Sequence, residues 1–211
     1  MSERKLPKLS TDGLFRQNIV LMSGLVTAPI IVAATTFERA LILTLSFFLI
    51  SYTSILICRF IPRKIVYTVR ILAYVGVAAV MYIPTAMLLN AWFPETAPQV
   101  SIYVEILVVN SLLLAKTESR FYLMPYSEMV LDALMYVVGY SLAAFAVGIV
   151  REFLAFGQLF GMRVCDASMP AAKTTFFGFF LVGIFAAVCR AITNHRRRRS
   201  ERADIIRKGA E

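Results

Sequence analysis

Apolar and polar positions fall along this chain in blocks. After a polar arm over residues 1–18, apolar runs occupy 19–37, 40–58, 71–93, 102–115, 129–150 and 174–193, and a basic tail fills 194–211. Runs of about 20 apolar residues match the hydrocarbon thickness of a bilayer. The pattern predicts an all-α integral membrane protein with six transmembrane helices. Two runs depart from the rule. Ser23, Gly24, Thr27, Ala28 and Pro29 interrupt the first, and Pro29 removes a donor and crowds the preceding turn, so a straight helix is not expected there. The fourth has only 14 residues and holds the polar pair Asn110–Ser111 before ending in Lys116-Thr117-Glu118.

The runs divide near residue 98 into two halves of three, and an odd number of crossings per half inverts the second half. The expected fold is therefore two inverted three-helix repeats, the first helix of each broken or short. Paired interrupted segments point to a site near the midplane, because half-helix ends leave backbone N–H and C=O groups free. Val26, Thr27, Ala28, Pro29, Asn110 and Ser111 are its candidate residues. The plainer alternative is a tolerated kink at Pro29 and a helix–helix contact at Asn110.

Composition strengthens the membrane assignment: 59% of the 211 residues are hydrophobic and the mean hydropathy is +0.72. The first 18 residues are polar and lack the apolar core of a secretory signal. The net charge of +9 sits between the spans and in the tail, which contains Arg196-Arg197-Arg198-Arg199. With both termini in the cytoplasm, 18 of the 22 Lys and Arg residues fall on the inner side, so that orientation is expected. No stacking aromatics or recognition fold accompany the basic residues, so the partner they imply is the lipid bilayer, and nucleic acid is excluded.

Cys58, Cys165 and Cys189 lie far apart with no ligand spacing, and the single histidine, His195, lies in the tail. There is no nucleophile–base constellation, P-loop or dinucleotide fingerprint, and no self-contained enzyme is expected. Glu105, Glu118, Asp132 and the pair Arg151-Glu152 are the ionisable residues nearest the apolar runs. They either line an ion route or sit at interfaces, bonded to helix ends or to each other. Gly139, Ala143 and Gly148 give the fifth run a small-residue face for close packing.

Several blocks together carry a family resemblance. Val108-Val109-Asn110-Ser111-Leu112-Leu113-Leu114-Ala115-Lys116-Thr117-Glu118, the basic loop Arg59-Phe60-Ile61-Pro62-Arg63-Lys64-Ile65, Leu131-Asp132-Ala133-Leu134, Val150-Arg151-Glu152-Phe153-Leu154 with Gly157 and Leu159-Phe160-Gly161, and Gly24-Leu25 with Pro29 to Thr35 occur in order. Over residues 19–161 the chain resembles the RnfE/NqrD family of membrane subunits. The resemblance implies a place in an Rnf/Nqr-type complex of the bacterial inner membrane that couples electron transport to Na⁺ or H⁺ translocation. It implies other membrane and redox subunits as partners, especially an RnfA/NqrE-like inverted homologue, with which the family shares a [2Fe–2S] cluster held by one cysteine per broken helix. Here Ser111 stands at one cysteine position, and Val26 or Ala28 at the other. No cluster and no metal are therefore expected on this chain, whose role would be structural or ion-path forming. The alternatives are a small inverted-repeat transporter or channel-like protein with a midplane site at Asn110 and Ser111, or a non-redox assembly subunit.

Overall fold

A computed structural model describes residues 18–165 and 169–208, with side chains as far as His195. The polar arm before Asn18 and the Arg196–Arg199 side chains lie outside this description. The described chain is mostly helical, and five stretches are long and apolar enough to cross a membrane: Phe37–Cys58, Tyr67–Trp92, Ala97–Leu123, Tyr126–Phe156 and Thr175–His195.

The first apolar run is not among them. Residues 18–26 form irregular turns, and only α1 (Thr27–Ala33, seven residues) is helical, which at about 1.5 Å per residue spans roughly 10 Å. Gly24 and Val26 take left-handed φ values of 67° and 56°, and this is where the chain breaks. Pro29 is not the breaker that the sequence suggested. It sits in the first turn of α1, where its missing N–H would have had no helical partner anyway.

α2 (Phe37–Cys58) starts at Thr36, whose hydroxyl accepts from the Arg39 amide, and contains a π-helical turn at Phe48–Tyr52. α3 (Tyr67–Trp92) follows the basic loop and accommodates Pro84 internally. The fourth run is longer than its apolar core. It extends from Ala97 to Leu123 in two pieces, α4 (Ala97–Ile106) and α5 (112–119), the latter opening with a π-helical turn at Leu112–Lys116. α6 (Tyr126–Phe156) ends at Gly157, in left-handed conformation, and leads into a short hairpin of β1 (Gln158–Leu159) and β2 (Met162–Arg163). α7 (Thr175–Lys208) is the last described helix.

α2 and α6 form the centre of the bundle. Their apolar windows are each 50% buried, against 17% for α3 and α7, whose residues Leu72, Ile83, Met87, Phe176, Phe179 and Phe180 are exposed. The central pair packs closely because Gly148 lacks a side chain: a Cβ there would meet Ala40 Cβ at 2.8 Å and the Thr36 carbonyl at 3.0 Å. Phe47 stacks on Tyr140 with ring centroids 4.0 Å apart. α1 packs against α2, α4, α6 and α7, which holds the short helix at the flank of the central pair.

Candidate functional site

The two breaks in the membrane-spanning structure are built differently, and each is pinned by an asparagine. At the second, Asn110 adopts extended backbone (φ −101°, ψ 147°) between the last 3-10 turn after α4 and the start of α5. Its buried side chain serves both ends. Nδ2 donates to the Leu107 carbonyl at 2.7 Å, and Oδ1 accepts from the Leu113 amide at 2.8 Å. One side chain thus satisfies a carbonyl that a helix end leaves free and an amide that a helix start leaves free. Nδ2 also donates to Ser51 Oγ at 2.9 Å, tying the break to the π-helical turn of α2.

At the first break the corresponding work is done by Asn18. Its Oδ1 accepts from the amides of Val20 (2.9 Å) and Leu21 (3.0 Å), and its Nδ2 donates to the Gly139 carbonyl of α6 at 2.8 Å. The ties run crosswise. Asn18 in the first half reaches the middle of α6, and Asn110 in the second half reaches the middle of α2. Asn18, at the end of the polar arm, gave no sequence signal that separated it from the arm.

Of the residues proposed for the midplane site, Val26 immediately precedes α1, Thr27 donates to the Gly24 carbonyl at 3.3 Å, Ala28 is exposed and Pro29 is buried. Ser111 is half-buried at the entry to α5. Val26 and Ser111 therefore share a position, one at each helix restart.

The ionisable candidates separate into three places. At the end of the bundle bearing the basic loop, Glu118 takes a two-pronged ion pair from Arg70 (Nε–Oε1 2.6 Å, Nη2–Oε2 2.7 Å) and a hydrogen bond from Tyr74 at 2.5 Å. Asp132, buried, is held likewise by Arg120 at 2.6 and 2.9 Å. Arg59 donates to the carbonyls of Tyr122 (3.0 Å) and Met124 (3.2 Å) at the corner before α6, and the guanidinium groups of Arg59 and Arg63 lie 5.3 and 4.6 Å from the Tyr122 ring centre.

At the opposite end stand Arg151 and Glu152, which do not pair with each other. Arg151 is fully buried and donates to five carbonyls: Ile31 (2.7 Å), Ala34 (3.4 Å), Ala172 (3.1 Å), Lys173 (3.2 Å) and Thr174 (3.2 Å). Glu152 accepts from the amides of Phe37 (2.7 Å) and Gly161 (2.8 Å). The cation thus meets the carbonyl end of α1 and the anion the amide start of α2. Each matches the sign of the local helix dipole. Gly178 of α7 lies close to Ile31 and Arg151, leaving no room there for a side chain.

Glu105 stands apart. It is exposed on α4 beside exposed Ile102, Ile106 and Val109, with one hydrogen bond, from Tyr82 at 3.2 Å.

Comparison with known proteins converges on one group. The family described as "Rnf-Nqr subunit, membrane protein" matches residues 6–186. The NqrD subunit of the Na(+)-translocating NADH-quinone reductase from Yersinia enterocolitica is 26% identical over 179 residues, 85% of this chain and 86% of that protein. The same subunit from Yersinia pestis and Yersinia pseudotuberculosis is similar to the same extent.

Proposed function

The chain belongs to the Rnf-Nqr family of membrane proteins, and from that premise we infer that it is a multi-pass subunit of an Rnf/Nqr-type complex in the bacterial cytoplasmic membrane. The complex couples electron transport to translocation of Na⁺ or H⁺, and both termini of this subunit lie in the cytoplasm. The chain's own contribution is the scaffold and ion path around the two helix breaks, without an iron–sulfur half-site.

The observation that carries this reading is the donor set at the breaks. A [2Fe–2S] cluster is held by thiolates, sometimes by imidazoles. Val26 and Ala28 offer hydrocarbon and Ser111 a hydroxyl of high proton affinity. Cys58 ends α2, Cys165 follows the hairpin and Cys189 lies late in the membrane stretch of α7. These residues do not fit the cluster, and no electron-transfer step is assigned to them.

Two reciprocal exchanges support an arrangement as inverted repeats. Asn18 and Asn110 each reach the central helix of the other half. Arg59, at the end of α2, clamps carbonyls at the corner before α6, while Arg151, near the end of α6, clamps carbonyls at the corner before α2. The exposed Glu105 supports a partner on the α4 face. A carboxylate within a span is costly against lipid, so that face is assigned to an RnfA/NqrE-like subunit. The transporter reading is weaker, because Asn110 spends its amide on the break itself.

The test is anaerobic purification of the tagged chain from native membranes in mild detergent, with subunit identification, an iron count and an EPR spectrum of the reduced sample. Other membrane and redox subunits should co-purify, and no [2Fe–2S] signal should trace to this chain. A cluster signal belonging to it would overturn the ligand assignment, and a chain that purifies alone would overturn the assembly.

A further inference from the structure

Hydroxyl groups inside membrane helices are ordinarily satisfied by the carbonyl four residues back. Ser46, Thr53, Thr85, Ser119 and Ser141 all follow that rule here. Ser54 and Thr117 do not. Both are buried, at 0% and 1% exposure, and their oxygens have no protein partner, a condition shared among the described residues by Thr44 and Tyr140. A buried hydroxyl left without a partner costs about 1–3 kcal/mol.

Their placement is not random. Asn110 bonds Ser51, and the Tyr122 hydroxyl bonds the Cys58 carbonyl at 2.9 Å, so the last turns of α2 and the stretch 110–122 run side by side in the same direction. Ser54 lies one turn beyond Ser51 on the same face, and Thr117 lies seven residues beyond Asn110, just past the π-helical turn at Leu112–Lys116. Lys116 points its ammonium over the Tyr136 ring of α6, and Glu118 bonds Arg70 and Tyr74 of α3. Thr117, buried between Lys116 and Glu118, therefore faces the interior between α6 and α3. Both flanking stretches carry a π-helical turn, Phe48–Tyr52 and Leu112–Lys116. Such turns release a carbonyl from the regular ladder and recur at functional sites.

We propose that Ser54 and Thr117 hold ordered water in a narrow hydrated cleft between α2 and α5, closed at Asn110–Ser51 and opening toward the Arg59–Arg70 end of the bundle. A buried water makes about three hydrogen bonds, which two hydroxyls and a carbonyl from either π-helical turn supply. The cleft gives the second helix break a wet approach from one side of the membrane only.

The test uses the full chain in native membranes, with Cys58, Cys165 and Cys189 replaced by alanine. Ser54→Cys, Thr117→Cys and, as the dry reference, Leu113→Cys are each treated with 2-aminoethyl methanethiosulfonate, which reacts with a thiolate and so needs water at the sulfur. The thiols introduced at Ser54 and Thr117 should react roughly tenfold or more faster than the one at buried Leu113. Equal rates at all three positions overturn the cleft. Radiolytic hydroxyl-radical labelling of the unmodified chain covers the case in which a variant fails to fold. Ile55, beside Ser54, should be oxidised several-fold more than Ile30, although both are fully buried. Equal oxidation overturns the cleft.

Discussion

Arg151→Ala removes a side chain that bridges the end of α1 to the entry of α7. Of its five acceptors, Lys173 and Thr174 are exposed and regain water when the guanidinium is lost. The carbonyls of Ile31, Ala34 and Ala172 are on buried residues and do not. At about 1–1.5 kcal/mol for each stranded carbonyl, the loss comes to roughly 3–4 kcal/mol before any loss of packing by the arginine stem. For a chain of this size, 1 kcal/mol moves the midpoint by about 2–4 °C, so a fall of roughly 6–16 °C is expected. Thermal unfolding of the purified chain in mild detergent, followed by near-UV circular dichroism, reads this directly. Arg151→Lys keeps the charge but has no fork to reach both groups of carbonyls, and should recover about half of the loss. A midpoint for Arg151→Ala within about 2 °C of the parent, or a lysine variant worse than alanine, would refute the reasoning.

Gly148→Ala should destabilise by about 1–3 kcal/mol because its Cβ collides with Ala40 and Thr36 across the α2–α6 contact. Gly76→Ala, which meets nothing within 4 Å in the interior of α3, should be neutral or slightly stabilising by the same unfolding assay. Asn110→Ala loses three hydrogen bonds at the break, and about 2 kcal/mol of local stability corresponds to roughly thirtyfold faster amide exchange at Leu113. Unchanged exchange there would show that the break holds without its asparagine. Ser111→Cys alone should bind no [2Fe–2S] cluster, since the first break still lacks a thiolate; a stable reduced-cluster EPR signal in that variant would refute the ligand argument.

Hydropathy located the five long spans because burial in lipid is a property of whole blocks, and it located the second break because Asn110 and Ser111 interrupt an apolar run. It misjudged the ends of that fourth element. Pro98, Lys116 and Glu118 lie outside the apolar core, yet they belong to helical stretches whose polar members find partners in neighbouring helices. Pro29 drew attention in the first run, but the break came at Gly24 and Val26, where left-handed backbone rather than a missing donor turns the chain. The adjacent residues Arg151 and Glu152 were legible as important but not as a latch. Among their partners are backbone groups more than 100 residues away, which no local pattern records. The π-helical turns and the partnerless Ser54 and Thr117 depend on how helices pass one another, and a single sequence carries no direct trace of that.

That latch also sets a timetable. The amide of Phe37 waits for Glu152, 115 residues downstream, the carbonyl of Ile31 waits for Arg151, 120 residues downstream, and Asn18 waits 121 residues for Gly139. At about 5–20 residues per second, a ribosome needs on the order of ten seconds to deliver those partners. During that interval the Ile31 carbonyl and the Phe37 amide, at the corner between α1 and α2, lack these partners. The newborn chain therefore depends on delayed assembly within the membrane, and a fragment ending at Trp92 has no route to the finished corner.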